Sequence, residues 1–263
     1  MNHKENLSGW GNNINVNSKI YLPKNNDDIT NLYKKGIALN SITRGLGRSY
    51  GDSSLDNSII SLKNYEKYIK FDNELGTLEC SSNYSLNEIL KLIVKKGWFF
   101  NVTPGSKFIT IGGAIASDVH GKNHHLDGSF CDYIFSFKII TSQGILYNCS
   151  KEENLELFQA SCGGMGLTGI IVSAKIKLLK IKSKIINTEI IKTKNLEQTI
   201  KSFKKFNANK YIVAWIDALA KNEHMGRSVI FIGNHSDEGD LNFFEKIKFS
   251  IPKIFPGFLL NKY

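Results

Sequence analysis

Residues 117–125 read SDVHGKNHH, which places three of the chain's six histidines within nine positions, beside a lysine and an asparagine. Residues of these types can bind a metal, move protons or make a tight turn. A zinc site sets its ligands on one face, as in H-E-x-x-H on a helix. Here His124 and His125 are neighbours and diverge on an extended segment, and no Asp, Glu or Cys set completes a shell with His120. No metal is expected. His120 is either a packed turn histidine bonding backbone carbonyls or a donor to a bound group. Asn123 suits turn stabilisation better than catalysis.

Glycine-rich stretches supply a second kind of chemistry. SITRGLGRSYGD holds Gly45, Gly47 and Gly51 in a G-x-G-x-x-x-G spacing. A dinucleotide fingerprint needs G-x-G-x-x-G and a helix directly after it, and SSLDNSIISL reads as loop then strand. A phosphate loop closing on G-K-[ST] is also missing. What remains is either an ordinary surface turn or a nest of backbone N–H groups, flanked by Arg44 and Arg48, that binds a pyrophosphate. A second loop, TPGSKFITIGGAIASDVHGKN, runs small residues together from Gly112, leaving room for a helix neighbour or a flat ligand. CGGMGLTGI is a third. Three such loops at junctions between regular elements point to a large phosphorylated ligand between two subdomains.

The elements that must position these loops are legible in outline. Residues up to about Asn17 are polar and read as loosely ordered, with Trp10 as an anchor. KIYLP is a strand ended by Pro23; Asp27 or Asp28 caps a helix to Lys35, closed by Gly36. IALNSITR, NSIISL, YIKFD and GTLECSS read as strands. Ser85 and Glu88 form a capping box for an amphipathic helix, with Ile89, Leu92 and Ile93 on one face. WFFN is extended and turns at Pro104-Gly105; GGAIA begins a tight helix or turn. YIFSFKIITSQGILYNCS is a hairpin, NLELFQASCGG a helix broken by glycines, and IIVSAKIKLL a strand. Beyond about residue 180 a strand, a helix and two further strands follow. The expected division is an N-terminal segment 1–17, a ligand-binding unit 18–180 and a second unit 181–263. IPKIFPGFLLNKY closes the chain as an apolar run with no capped element or polar tail, and reads as cut off.

Composition narrows the class. Length and a 41% hydrophobic content suit a globular protein with a substantial core. No apolar run approaches the roughly 20 residues of a membrane span, and the polar start lacks a signal-peptide core, so a cytoplasmic protein is expected. The four cysteines contain no C-x-x-C pair, which points to reduced, mostly buried thiols rather than a disulfide framework. The net charge of +10 is concentrated in lysines from Lys175 to Lys210. These alternate with Ile and Leu as on solvated faces, or suit an anionic membrane surface. No stacking aromatics interleave with them, so nucleic acid is not an expected partner.

TRGLGRSYGD, PGSKFITIGGAIASDVHGKNHHLDGSF and GGMGLTGII, in this order and spacing, resemble the flavin-binding half of the vanillyl-alcohol-oxidase/p-cresol-methylhydroxylase (PCMH) superfamily. Within it they look most like the decaprenylphosphoryl-β-D-ribose 2′-oxidase family. The resemblance covers residues 20–180 closely and continues more loosely through YIVAWIDA and IFPGFLLNKY to the end of the chain. It implies an α+β fold: a two-subdomain, PCMH-type FAD-binding domain followed by the beginning of a substrate cap. In the family the first loop holds the pyrophosphate, which implies Thr43, Arg44, Gly45, Leu46, Gly47, Arg48, Ser49, Tyr50, Gly51, Asp52 and Ser53. The second loop lines ADP and isoalloxazine, implying Gly105, Thr110, Ile111, Gly112, Gly113, Ser117, Asp118, Val119 and His120. The strand after the third implies a contact at Ile170. Some members attach FAD through a histidine in the first loop; Arg48 and Ser49 stand there, so non-covalent FAD is expected.

The resemblance also implies a function: oxidation of a secondary alcohol of a sugar, a polyprenyl-phosphate-linked pentose, in cell-envelope polysaccharide synthesis. Tyr50, Lys122 and His120 are its candidate catalytic residues: Tyr50 facing substrate, Lys122 as a cation toward substrate or flavin, and His120 as a flavin-positioning donor. A short-chain reductase acting on the keto product is the implied partner, and the inner membrane face the implied place of contact. Complete members continue past the end of this chain and carry further cap residues there. The alternative expectation is therefore a catalytically incomplete flavin-binding fragment, or one subunit of a split oxidase.

Overall fold

A computed structural model of the chain describes residues 2–242; the apolar run at 251–263 lies outside them. Helices and three sheets make an α+β arrangement. In the first sheet β1 (Asn2–Ser8) pairs antiparallel with β2 (Asn15–Tyr21), while β2 and β3 (Ile42–Thr43) flank β4 (Ser58–Ile60) in parallel. The expectation of a loosely ordered N-terminus is therefore overturned. NHKENLS shows no apolar alternation because it is an edge strand whose residues His3–Asn6 are exposed.

Two further expectations change here. Helix α1 (Asn26–Lys34) is capped by Asn25, whose side chain accepts the Asp28 N–H at 2.9 Å, not by either aspartate. The Asp28 carboxylate instead accepts the Lys24 N–H, so the two side chains satisfy each other's end of the first turn. IALNSITR is a strand only at Ile42–Thr43. Residues Ala38–Asn40 form a 3-10 turn, held by the Ser41 hydroxyl donating to the Ile37 carbonyl at 2.7 Å.

The second sheet is the scaffold of the molecule. It comprises β5 (Ile69–Asp72), β6 (Thr77–Ser81), β7 (Trp98–Phe100), β8 (Ile134–Ile140), β9 (Leu146–Ser150) and β10 (Ile170–Lys180), in the order β5-β6-β10-β8-β9 with β7 joined to the far end of β10. Central β10 reads as nearly continuous apolar sequence because it is covered on both sides. Ala174 and Ile176 belong to the main core, while Ile170 and Val172 pack with Ile29, Ile60 and Leu62 beneath the first sheet. Helix α2 (Leu86–Ile93) carries the expected capping box and lays Ile89 and Ile93, both fully buried, into the main core. Each such side chain contributes roughly 1.5–3 kcal/mol.

Short helices follow: α3 (Ile111–Ala116), α4 (His124–Asp127) and α5 (Leu155–Ser161). The third sheet, β11 (Ile186–Thr193), β12 (Tyr211–Ile216) and β13 (Ser228–His235), has the order β11-β13-β12 and is antiparallel throughout. Helix α6 (Leu196–Lys205) covers one face, with Phe203 and Phe206 against Ile212, Ile230 and Ile232. The opposite face presents Ile190 (59% exposed) and Trp215 (75% exposed).

Candidate cofactor site

Parallel pairing of β3 with β4 delivers the chain into the first glycine loop, and the last sheet bond is the Arg44 N–H to the Ile60 carbonyl at 2.9 Å. Past that point none of the backbone N–H groups of residues 45–51 has a hydrogen-bond partner among the described residues. Successive backbone N–H groups without protein partners can receive an anion. Gly47 adopts φ +63°, and a Cβ there would run into the Arg44 guanidinium, so glycine is required twice over.

The Arg44 guanidinium is held by protein acceptors. Its guanidinium donates to the carbonyl and hydroxyl of Ser54, each at 3.0 Å, and to the Ser8 carbonyl at 2.7 Å. Burial lowers its pKa, and those acceptors hold the buried cation. Arg44 thus clamps the loop and pins the N-terminal hairpin to it, while also lining the smaller cavity. Arg48 is exposed, donates to the Leu46 carbonyl at 2.7 Å and lies over the Trp10 ring, 5.6 Å from its centroid. The Trp10 N–H donates to the Ser49 carbonyl at 2.8 Å. The hairpin thereby walls the loop from outside, with Trp10 as the anchor its sequence suggested.

Thr110 caps α3, its hydroxyl accepting the Gly113 N–H at 3.1 Å. A Cβ on Gly45 would stand 2.6 Å from that hydroxyl oxygen, so the first loop touches the second only because Gly45 has no side chain. The third loop closes on the other end of α3: Gly163 N–H donates to the Ile115 carbonyl at 3.0 Å and Met165 N–H to the Ala116 carbonyl at 2.7 Å. The three loops enclose two adjoining cavities of about 280 Å³ and about 490 Å³, which share Gly45, Leu46, Thr110, Gly113 and Met165. Together they form one groove of a size suited to a cofactor.

Most expected cofactor residues line this groove: Thr43, Arg44, Gly45, Leu46, Gly47, Arg48, Ser49, Tyr50, Ser53, Gly105, Thr110, Gly112, Gly113, Ser117 and Val119. Gly51 and Asp52 belong to the loop but not to the groove walls. Ile111 and Ile170 are core residues, and Gly169 and Ile171 line the groove beside the latter. Asp118 spends its carboxylate on the Ser129 hydroxyl (2.8 Å) and the Cys131 N–H (2.9 Å). His120 and Lys122 are exposed, one and three residues past Val119, and neither lines the groove.

At the opposite end, the smaller cavity is walled by residues the sequence did not mark for binding: Ser61, Lys63, Lys67, Ser82, Asn83 and Glu88, the last read only as a capping residue. Asn83 Nδ2 donates to the Leu62 and Tyr65 carbonyls at 2.9 Å each, while its buried Oδ1 has no protein partner. Burial pushes the Glu88 carboxyl up, but hydrogen bonds from Lys67 and Ser85 outweigh it and hold Glu88 below the usual glutamate range.

The remaining histidines of SDVHGKNHH are structural. His124 Nδ1 donates to the Gly128 carbonyl and His125 Nε2 to the Asn209 carbonyl, both at 3.0 Å. Asn123 is fully buried and donates to Asn101 O (2.7 Å) and Asp127 Oδ2 (2.6 Å). The Lys122 carbonyl accepts the Ile212 N–H at 2.9 Å, so this segment docks the third sheet. Among the described residues no three His, Cys, Asp or Glu side chains converge as a metal-binding group.

The row of N–H groups without protein partners and the glycine-rich walls of the groove fit a flat, phosphorylated cofactor. Comparisons with known proteins agree. Residues 19–150 match the FAD binding domain family. The chain is 31% identical to decaprenylphosphoryl-beta-D-ribose oxidase of Mycolicibacterium smegmatis over 236 residues, covering 84% of this chain and 51% of that protein. It is 27% identical to cytokinin dehydrogenase 3 of Arabidopsis thaliana over 61% of this chain and 32% of that one. It is 26% identical to D-lactate dehydrogenase of Anaerostipes hadrus over 56% and 32%. The chain thus spans about half the length of the first relative and a third of the others. It belongs to the PCMH-type FAD-linked oxidase family, and FAD is its cofactor.

Proposed function

We propose that the chain is the cofactor-binding part of an FAD-dependent oxidoreductase acting on a secondary CH–OH group of a polyprenyl-phosphate-linked pentose. The observation that carries the cofactor half is the unpaired N–H row of residues 45–51 opening on a glycine-walled groove. The substrate class rests on the name of the Mycolicibacterium relative. Residues 18–180 are the FAD-binding unit, non-covalent because Arg48 and Ser49 stand where a histidine would attach the flavin, and residues 181–263 begin a substrate cap. The keto product then needs a reductase of the short-chain class, and a lipid-linked substrate places the work at a membrane surface. Among the described residues no helix is long and apolar enough to cross a membrane.

Bound FAD supplies a hydride acceptor for the alcohol carbon. The chain's own residues hold and orient it. The N–H groups of residues 45–51 bind the pyrophosphate, Gly45 and Gly113 let it approach the backbone, and Trp10 and Tyr50 wall the wider cavity. Tyr50, 77% exposed, faces the substrate side with its phenol. His120 and Lys122 stand outside the groove, past Val119, where they would face a substrate rather than the bound cofactor.

A second reading, that this chain binds flavin but needs further polypeptide to act, is favoured by the bare apolar face carrying Ile190 and Trp215. One preparation separates the two. The purified chain should show a flavin spectrum that denaturation releases into the supernatant. Bleaching by a polyprenyl-phosphoryl pentose supports the enzyme, and a flavin spectrum without bleaching supports the fragment. A colourless chain that FAD does not reconstitute would remove both.

A further inference from the structure

The third sheet meets the second at a histidine. His235 ends β13, and its ring makes edge contacts with Phe99 of β7, 5.6 Å between centroids, and with Tyr211 of β12, 5.5 Å. Its Nε2 lies 2.9 Å from the Tyr211 hydroxyl, while the buried Nδ1 has no partner among the described residues. The register partner on β11 is Ile186, and β7 (Trp98–Phe100) carries no ionisable side chain; Lys180 of β10 lies over the Trp98 ring, 4.4 Å from its centroid. From β12 come Tyr211 and Lys210, whose ammonium is paired with Asp127 of α4 at 2.8 Å. His125 of α4 reaches the Asn209 carbonyl at 3.0 Å. Just past His235, Asp237 and Asp240 are paired with Lys182 and Lys184 at 3.0 Å and 2.7 Å.

We propose that His235 is a pH-sensitive latch: neutral, it seats the third sheet against β7, and on taking up a proton it releases that sheet. The seat suits an imidazole with a single proton. Burial pushes the Tyr211 phenol up, so the 2.9 Å contact joins a hydroxyl to one ring nitrogen in either tautomer. An imidazolium carries an N–H on both nitrogens. Its Nδ1–H would be a buried charged donor with no acceptor, beside the Lys210 cation. Burial first, and then Lys210, accordingly hold the ring below the usual histidine range. A released ring takes its proton near the ordinary value of 6.5, and a seated ring only at lower pH. Seating is therefore complete above about 6.5 and weakens below it, by up to about tenfold per pH unit for one proton. His125 lacks this property, because protonation leaves its Nε2–H free to donate to the Asn209 carbonyl. The consequence for a substrate rests on the reading proposed above, in which the third sheet begins the cap.

Ile212 reports the seat directly. Its N–H leaves the third sheet and donates to the Lys122 carbonyl at 2.9 Å, whereas strand alternation points the Val213 N–H back toward β13. The test is residue-resolved amide exchange of the full chain by NMR, with each rate divided by its intrinsic value at that pH. Ile212 protection should fall below about pH 6.5 by up to about tenfold per unit, while Val213 keeps its protection. His235→Phe keeps the ring contacts without a titrating group and should flatten the Ile212 profile; His125→Gln should leave it as in wild type. A flat wild-type profile would overturn the latch, and so would an acid loss that His235→Phe shares or that His125→Gln abolishes. If His235→Phe does not fold, the His235 ring signals of the wild-type chain decide. Titration at or above about 6.5 with Ile212 still protected overturns the proposal; titration below that value, in step with loss of Ile212 protection, supports it. The exchange profile needs neither flavin nor substrate, so the latch and the proposed oxidation fail separately.

Discussion

Lys210 and Asp127 form an ion pair at 2.8 Å with both side chains largely shielded, 22% and 19% exposed. This pair fastens the start of β12 to α4, directly after the Lys122 carbonyl that accepts the Ile212 N–H. Asp127 also accepts from Asn123, so one carboxylate organises both the HGKNHH turn and the third sheet. Lys210→Met keeps the stem but leaves a shielded carboxylate without its cation. Such a loss lies between the surface and the fully buried case, about 1–3 kcal/mol. Urea unfolding should show a lower midpoint in Lys210→Met, with part of the loss recovered in Lys210→Met/Asp127→Asn. A midpoint matching wild type would mean the pair does not hold the sheet.

Gly47→Ala tests the nest. The substitution imposes a left-handed backbone on a residue with a Cβ, costing roughly 1–2 kcal/mol, and drives that Cβ into the Arg44 guanidinium. Displacing Arg44 releases Ser54 and Ser8 together, so loop shape is lost along with local stability. FAD affinity should fall by about tenfold or more, the equivalent of roughly 1.4 kcal/mol, while circular dichroism keeps the wild-type sheet signal. Gly36→Ala, also at positive φ but with open space around it, should lose stability without losing flavin.

The contrast between what the sequence disclosed and what it hid follows from range. The Ser85–Glu88 capping box was readable because both partners sit within one helical turn. The glycine loops and FAD were readable because a continuous motif carries them. The clamp made by Arg44 was not legible because its acceptors include Ser8, 36 positions away, and local sequence shows only a cation beside glycines. The wall of Ser61, Lys67 and Asn83 was invisible for the same reason: β-sheet pairing, not spacing, brings it to the groove. β1 was missed because an exposed edge strand has no buried face to produce alternation.

Glu88 predicts an acid dependence. Its folded pKa is held below its ordinary value of 4.5, so its ionised form stabilises the fold. That contribution is complete above about 4.5 and disappears as pH falls through the lower folded value. Glu88→Gln removes it. The gap in urea midpoint between wild type and Glu88→Gln should therefore be constant from pH 6 to 8 and shrink in acid. A gap that stays the same down to pH 3 would show that Lys67 and Ser85 do not favour the charged carboxylate.

Trp10 offers the most direct view of the groove. It is one of three tryptophans; Trp98 is buried beside β10, and Trp215 lies on the bare face of the third sheet. Trp10 alone of the three lines the groove, so bound flavin should quench it most strongly. Trp10→Phe keeps an aromatic face for Arg48 and should remove a larger share of the FAD-dependent quenching than Trp215→Phe does. Arg48→Ala acts on the other side of the same contact. A cation–π pair at this exposed site contributes about 0.5–1 kcal/mol, so its loss should leave folding intact while loosening the hairpin over Ser49 and Tyr50. The expected signature is a red-shifted Trp10 emission and a faster FAD off-rate. Equal quenching in Trp10→Phe and wild type would place the flavin elsewhere than beneath the N-terminal hairpin.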